Sequence, residues 1–137
     1  MATSTLTGGC LCNKITYQIE NATPKIAICH CNTCKRHTGS GFSTNMIVPK
    51  PFFKYTSGTP KIFLDTSGDS GQEVPKHFCG DCGTALNVQP NDKPIIVVRA
   101  GTINERDELD LAMEIFHQRK DKFVDQIGQV PALPGMP

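Results

Sequence analysis

The chain has 137 residues, which is about the length of one globular domain. Its 14 basic and 13 acidic residues leave a net charge of +1, a balance that argues against the broad basic face of a nucleic-acid-binding protein. Apolar residues make up 38% of the chain and tryptophan is absent, so we expect a modest core. No stretch approaches the roughly 18 apolar residues that a membrane span requires.

Short apolar runs alternate with turn residues along the chain, a pattern typical of an all-β, or at least mainly β, domain. Ile15, Tyr17 and Ile19 alternate with polar residues and predict the first half-buried strand. Further strands are predicted at 25–31, 43–49, 61–64, 75–78, 84–88, 95–99 and 112–116. Single helical turns are predicted over 32–37 and 104–109.

The C-terminal stretch has a different composition. Residues 128–137 contain three prolines and two glycines, so we expect them to be extended and irregular. The predicted organisation is therefore one domain over residues 1–137, with an irregular C-terminal arm from about residue 128.

Seven cysteines are the main chemical signal, at Cys10, Cys12, Cys29, Cys31, Cys34, Cys79 and Cys82. Their CxC and CxxC spacings suit a shared metal, and zinc prefers four ligands in a tetrahedron. Seven thiolates divide into a closed set of four and a set of three that keeps one position open. The alternative, three disulfides and a free thiol, fits less well because the N-terminus does not resemble a secretory leader. We expect reduced thiols in a cytoplasmic or nuclear protein.

The first and last pairs suit one closed site. Cys10 and Cys12, two residues apart on an extended segment, point to the same side. Cys79 and Cys82 lie in a glycine-containing knuckle that lets both sulfurs converge. The four thiolates would link the start of the chain to its middle, and we expect this site to be structural.

The middle group leaves its fourth ligand undecided. Cys29, Cys31 and Cys34 offer three thiolates within six residues, and His30 is expected to be an ordinary buried imidazole that points away. His37 follows Cys34 by three residues, so a helical turn would allow it to close the site. Otherwise water or a substrate thiol takes the open position. Three thiolates make the metal electron-rich, which favours thiol chemistry over hydrolysis.

Four segments carry a family resemblance: Gly8-Gly9-Cys10-Leu11-Cys12, Cys29-His30-Cys31-Asn32-Thr33-Cys34-Lys35-Arg36, Ser57-Gly58 and Phe78-Cys79-Gly80-Asp81-Cys82-Gly83. Together they resemble the glutathione-dependent formaldehyde-activating enzyme family, which also includes vertebrate centromere protein V. The resemblance implies a small zinc-binding domain of the Mss4-like, mainly β fold with two zinc ions. It implies a structural zinc on Cys10, Cys12, Cys79 and Cys82 and a catalytic zinc on Cys29, Cys31 and Cys34.

The resemblance also implies a carbon-sulfur lyase similar to S-(hydroxymethyl)glutathione synthase, which acts on a small thiol, such as glutathione, and an aldehyde. Lys35, Arg36 and His37 are then candidates to bind substrate carboxylates. Ser57 and Gly58 match a family segment near the site. Two other classes remain open: a zinc-stabilised binding module without catalysis, if His37 closes the middle site, and a redox or metal sensor that releases zinc on oxidation.

Overall fold

Strands organise the computed structural model, which describes residues 4–136. The ten strands in this range are β1 (Ser4–Gly9), β2 (Thr16–Ala22), β3 (Lys25–Cys29), β4 (Ser43–Pro49), β5 (Phe53–Ser57), β6 (Lys61–Asp65), β7 (Val74–Phe78), β8 (Ala85–Val88), β9 (Ile95–Arg99) and β10 (Asp110–Ile115). A three-stranded sheet has the order β1-β2-β5, and a seven-stranded sheet has the order β10-β3-β4-β9-β8-β7-β6. Neighbouring strands are antiparallel except β10 and β3, which are parallel. The prediction of a mainly β fold is confirmed.

One short α-helix, α1 (Asn32–Thr38), lies between β3 and β4. Cys31 precedes the helix, and its Sγ accepts a hydrogen bond from the backbone N–H of Cys34, which takes the place of the usual hydroxyl or carboxylate cap. The helix ends at Gly39, whose φ of 64° lies in the left-handed region that glycine tolerates. Short 3-10 turns occur at Lys50–Phe52, Ala100–Thr102, Arg106–Glu108, His117–Arg119 and Lys122–Gln126. No helix within residues 4–136 has the length and hydropathy of a membrane span.

The core fills the space between the two sheets. Its members are buried apolar side chains, including Leu6, Tyr17, Ile19 and Phe53 from the small sheet and Met46, Val48, Leu86, Ile96 and Val98 from the large one. The rings of Tyr17 and Phe53 stack with their centroids 5.1 Å apart. Because side chains alternate along each strand, the residues between these core positions on the large sheet point to its other face.

On that other face, five residues pair with one another across neighbouring strands. Ile47 pairs with Val97, Val97 with Val88, Val88 with Lys76, and Lys76 with Phe63, so the five side chains share one face across five neighbouring strands. We call it the open face, because Ile47 and Phe63 are more than half exposed.

Two of the observed strands have weak sequence signals. β1 has Leu6 as its one large apolar residue, and β5 lies in a range where no strand was predicted. In contrast, β4 and β9 occupy the predicted ranges 43–49 and 95–99. The predicted arm has neither helix nor strand over residues 128–136. The predicted domain also includes residues 1–3 and 137, which lie outside the described range, and its boundaries stay a prediction.

Gly8 allows the close approach of β1 and β2. A Cβ at this position would overlap the ring of Tyr17 and the carbonyl oxygen of Thr102. We expect Gly8→Ala to lower the free energy of unfolding by about 1–3 kcal/mol, the usual cost of an overpacked site. Urea denaturation would measure the loss. Gly101→Ala is the matched control, because nothing lies within 4 Å of its added Cβ; equal losses in the two variants would contradict the steric explanation.

Candidate metal and substrate site

The first and last cysteine pairs form one cluster. The Sγ atoms of Cys10, Cys12, Cys79 and Cys82 lie within 4.8 Å of one another. The Cys10 and Cys12 sulfurs are 3.5 Å apart, and those of Cys12 and Cys79 are 3.8 Å apart. Four thiolates around a tetrahedral zinc are separated by about 3.8 Å, so this four-cysteine group can hold a metal ion. Such an ion would join the end of β1, in the small sheet, to the β7–β8 turn of the large one.

Backbone and hydroxyl donors surround the four-cysteine group. The backbone N–H of Ile15 donates to the Cys10 sulfur at 3.4 Å. The hydroxyl of Thr84 lies 3.2 Å from the Cys82 sulfur. This hydroxyl, together with the backbone N–H groups of Thr84 and Cys12, lowers the pKa of the Cys82 thiol to about 5. The local structure therefore stabilises a thiolate, which is the form that binds metal.

The three remaining cysteines form a second cluster where β3 meets α1. The Sγ atoms of Cys29, Cys31 and Cys34 lie within 4.8 Å of one another. Cys29 ends β3, and Cys31 and Cys34 belong to the first turn of α1. Hydrogen bonds with the Cys29 and Cys34 thiols hold the pKa of Cys31 well below its usual range. This three-cysteine group can also hold a metal, and within residues 4–136 no fourth cysteine, histidine or carboxylate joins it.

His37 is engaged by an arginine and lies outside the three-cysteine group. Its Nδ1 accepts a hydrogen bond of 2.7 Å from Nη2 of Arg99. Burial, followed by the charges of Arg99 and Lys76, lowers the pKa of His37 to about 4. The ring is therefore neutral at pH 7, with its proton on Nε2, and metal binding through Nδ1 would require the loss of the Arg99 contact.

Arg99 is the central charged group of this region, and the sequence analysis missed it. It is 5% exposed, and its Nη1 donates to Oδ1 of Asn45 and lies 3.9 Å from the Cys34 sulfur. One signal was available: an arginine ends the otherwise apolar strand β9. A buried arginine normally has a specific partner, so this position could have been singled out.

Arg36 and His37 line a cavity of about 470 Å³ beside the three-cysteine group, together with Phe63, Asp65 and Lys76. Lys76 pairs with Asp65 at 3.6 Å, and both side chains are largely buried. Arg36 is exposed and makes no ion pair within the described part of the chain. Its guanidinium is available to an anionic group in the cavity.

Lys35 has a different environment from Arg36 and His37. Its Nζ donates to the carbonyl oxygen of Arg119 at 2.7 Å and pairs with Asp121 at 3.0 Å. Lys35 thus attaches α1 to the segment that follows β10, and these contacts occupy its ammonium group.

The structure brings Ser57 and Gly58 to the four-cysteine group, away from the three-cysteine group. The Ser57 hydroxyl donates to the carbonyl oxygen of Lys14 at 3.2 Å. Gly58 has a φ of 75° and packs so closely on Lys14 that a Cβ would overlap its carbonyl. Ser57 ends β5 and Gly58 follows it, and Gly58 lines a separate cavity with Cys79.

His30 is fully buried between two cysteines and faces β10. Its Nε2 lies 2.8 Å from Oε1 of Glu114, which also pairs with Lys120 at 3.3 Å. Lys120 in turn pairs with Asp125 at 3.4 Å. This chain of polar contacts connects the three-cysteine segment to the 3-10 turn at Lys122–Gln126, which agrees with the expectation of a structural imidazole.

Comparison with known proteins identifies the family of the chain. The family model described as glutathione-dependent formaldehyde-activating enzyme matches residues 5–119. A Schizosaccharomyces pombe protein described as an uncharacterized lyase is 30% identical over 79 residues, which cover 58% of this chain and 53% of that protein. The matched region thus spans about half the length of this relative. The crystal structure of a Rhodobacter sphaeroides protein shares the fold, with a TM-score of 0.58 and 19% identity over 78% of this chain and 98% of the other. The chain belongs to the glutathione-dependent formaldehyde-activating enzyme family.

Proposed function

We propose that the protein is a zinc-dependent carbon-sulfur lyase that makes or breaks the adduct between a small thiol, such as glutathione, and an aldehyde. The observation that carries this proposal is the contrast between the two clusters. The four-cysteine group supplies a complete tetrahedral set, whereas the three-cysteine group has three thiols, and two of its members, Cys29 and Cys34, line a cavity of about 250 Å³.

The donor sets fit zinc. All seven ligands are thiols, which zinc accepts in both closed and open sites. In this proposal Cys10, Cys12, Cys79 and Cys82 hold a structural zinc, and Cys29, Cys31 and Cys34 hold a catalytic one. When bound by the three-cysteine group, zinc supplies a soft Lewis acid that favours the ionised form of a substrate sulfur. Free thiols of this kind persist in a reducing compartment such as the cytoplasm or nucleus.

The reaction needs no oxidant or reductant. In the forward direction the thiol sulfur bonds to the carbonyl carbon, the π electrons of the C=O bond move to oxygen, and the proton lost from sulfur is balanced by one gained at oxygen. The reverse reaction breaks the same carbon-sulfur bond and regenerates thiol and aldehyde. The protein therefore has to position two small reactants and accommodate one developing negative charge.

The residues around the three-cysteine group suit these tasks. Arg99 places a buried positive charge 3.9 Å from the Cys34 sulfur and holds the ring of His37. Arg36, at the cavity wall, is suited to pair with a carboxylate of the thiol. Lys35, Ser57 and Gly58 have no part in this proposal, because their contacts lie elsewhere.

NMR detection of adducts tests the proposal directly. Exchange spectroscopy on mixtures of glutathione and formaldehyde should show faster interconversion of free thiol and adduct with the zinc-loaded protein than without it. The Cys31→Ser protein, with its zinc content measured, is the control and should leave the exchange rate at the uncatalysed value. If the two proteins accelerate exchange equally, or neither does so with a wider panel of thiols and aldehydes, the proposed function is wrong.

A further inference from the structure

A second cavity, of about 250 Å³, lies on the open face directly beside the three-cysteine group. Its polar lining includes Cys29, Cys34, Asn45 and Arg99, together with the Asp65–Lys76 ion pair. Its remaining wall is mostly aliphatic and includes Ile47, Val74, Val97 and Ile115. It shares Thr33, Asp65 and Lys76 with the 470 Å³ cavity, so the two adjoin. We call the 250 Å³ cavity the apolar trough.

The apolar trough is too large and too apolar for the smallest aldehyde. Formaldehyde has two heavy atoms and occupies roughly the space of one or two water molecules, each about 30 Å³. It would cover little of the aliphatic wall. Ile47 is 55% exposed and Ile115 is 37% exposed, so apolar surface next to the reactive sulfurs remains in contact with water. Exposed apolar surface of this kind, beside convergent polar groups, is typical of a ligand site.

Glutathione does not match the apolar wall either. It carries two carboxylates, an ammonium group and two amides, and these groups need hydrogen-bond partners. Such partners lie in the adjoining cavity, where Arg36 and His37 supply a cationic and a polar group. Arg36 and His37 line only the larger cavity, whereas Ile47, Val74 and Val97 line only the trough, so the charged groups of the thiol and an apolar group have different places to bind.

We propose that the apolar trough binds the hydrocarbon chain or ring of an aldehyde substrate, so that the preferred aldehyde is larger than formaldehyde. The inference rests on the proposed thiol-adduct chemistry. The carbonyl carbon lies near the three-cysteine group and Arg99, and the chain extends over Ile47 and Val97. Because these two residues pair across β4 and β9, they form a rigid floor that a flexible loop would not provide.

A series of aldehydes tests the chain-length preference. The kcat/KM of adduct formation with glutathione is measured for formaldehyde, acetaldehyde, butanal and hexanal, and each value is divided by the uncatalysed rate constant. We expect the ratio to rise about fourfold for each methylene that enters the trough, or about 250-fold from acetaldehyde to hexanal when all four additional methylenes enter. A ratio that is flat, or that is highest for formaldehyde, would overturn the inference while leaving the proposed function intact.

Two matched variants test whether the chain-length preference arises in the apolar trough. Ile47→Thr keeps a β-branched side chain on β4 but places a hydroxyl in the trough, and it should lower the hexanal-to-acetaldehyde preference about tenfold. Ile62→Thr makes the same change at 53% exposure on the opposite face of the sheet and should leave the preference unchanged. Equal effects of the two variants would contradict the assignment to the trough.

A binding measurement tests ligand binding in the apolar trough independently of catalysis. Unreactive 1-hexanol should shift the backbone amide resonances of Ile47, Val97 and Ile115 at lower concentration than ethanol does. If 1-hexanol binds there but the protein accelerates adduct formation with none of the aldehydes, the apolar site is supported and the proposed function fails. If 1-hexanol has no effect, and Ile47→Thr instead dissociates a dimer seen by sedimentation, the open face is a contact between two copies and the inference is overturned.

Discussion

We expect Cys12→Ser and Cys82→Ser to abolish the cooperative fold, and Cys31→Ser to leave a folded protein that binds one zinc ion and has no activity. Cys12 and Cys82 belong to the group that joins the two sheets. Binding of a structural zinc contributes about 10–16 kcal/mol of apparent free energy in small domains, as much as the whole stability of a typical protein. Cys31 belongs to the three-cysteine group and is not a member of the core between the sheets, so the loss of this ligand leaves the core untouched.

Zinc content and thermal unfolding measure this difference. The wild-type protein should bind two zinc ions, of which a mild chelator removes the one at the three-cysteine group first. Cys31→Ser should retain one zinc and a single sharp transition. If all three serine variants lose cooperative unfolding to the same extent, the division into a structural and a catalytic site is wrong.

Arg99→Met should cause the second largest effect, a loss of activity with no loss of zinc. The substitution removes the hydrogen bonds to Asn45 and His37 and a positive charge close to the Cys34 sulfur. Two unit charges 4 Å apart interact by about 4 kcal/mol at an effective dielectric constant of 20. When half of that energy, about 2 kcal/mol, stabilises the transition state, its loss lowers kcat/KM by about 30-fold.

Two control substitutions define the role of Arg99. Arg99→Lys keeps the charge but cannot contact Asn45 and His37 together, so we expect partial activity. His37→Ala should retain both zinc ions, because His37 lies outside the three-cysteine group. If His37→Ala loses one zinc ion, His37 completes the metal site and the open position that the proposed chemistry requires does not exist.

Local sequence patterns predicted the strands of the large sheet. They missed two strands of the small sheet, β1 and β5, and the pairing partner of β10. β4 and β9 were located because their alternating or apolar residues pack on the core. β1 has Leu6 as its one large apolar residue, and both β1 and β5 are held by their pairing with β2. The parallel pairing of β10 with β3 joins residues about 85 positions apart, and no local pattern encodes such a partner.

The candidate metal ligands were predictable because spacing alone brings thiols together. The CxC and CxxC pairs need one turn of backbone to converge, and both clusters contain the expected cysteines. Arg99 and Asn45 were not predictable in this way, since β9 and β4 meet at the site through the register of the sheet. Ser57 and Gly58 show the opposite case: they match a family segment, yet their contacts lie beside the four-cysteine group.

The two faces of the seven-stranded sheet differ in what a substitution changes: one face packs in the core, and the other contacts solvent and small molecules. On β4, Met46 and Val48 are buried in the core, while Ile47 between them faces outward. A substitution at Ile47 changes the surface that a small molecule meets, whereas the volume enclosed between the sheets stays the same. With the trough as the proposed substrate site, single substitutions on this face would change the preferred substrate without first requiring added stability to compensate.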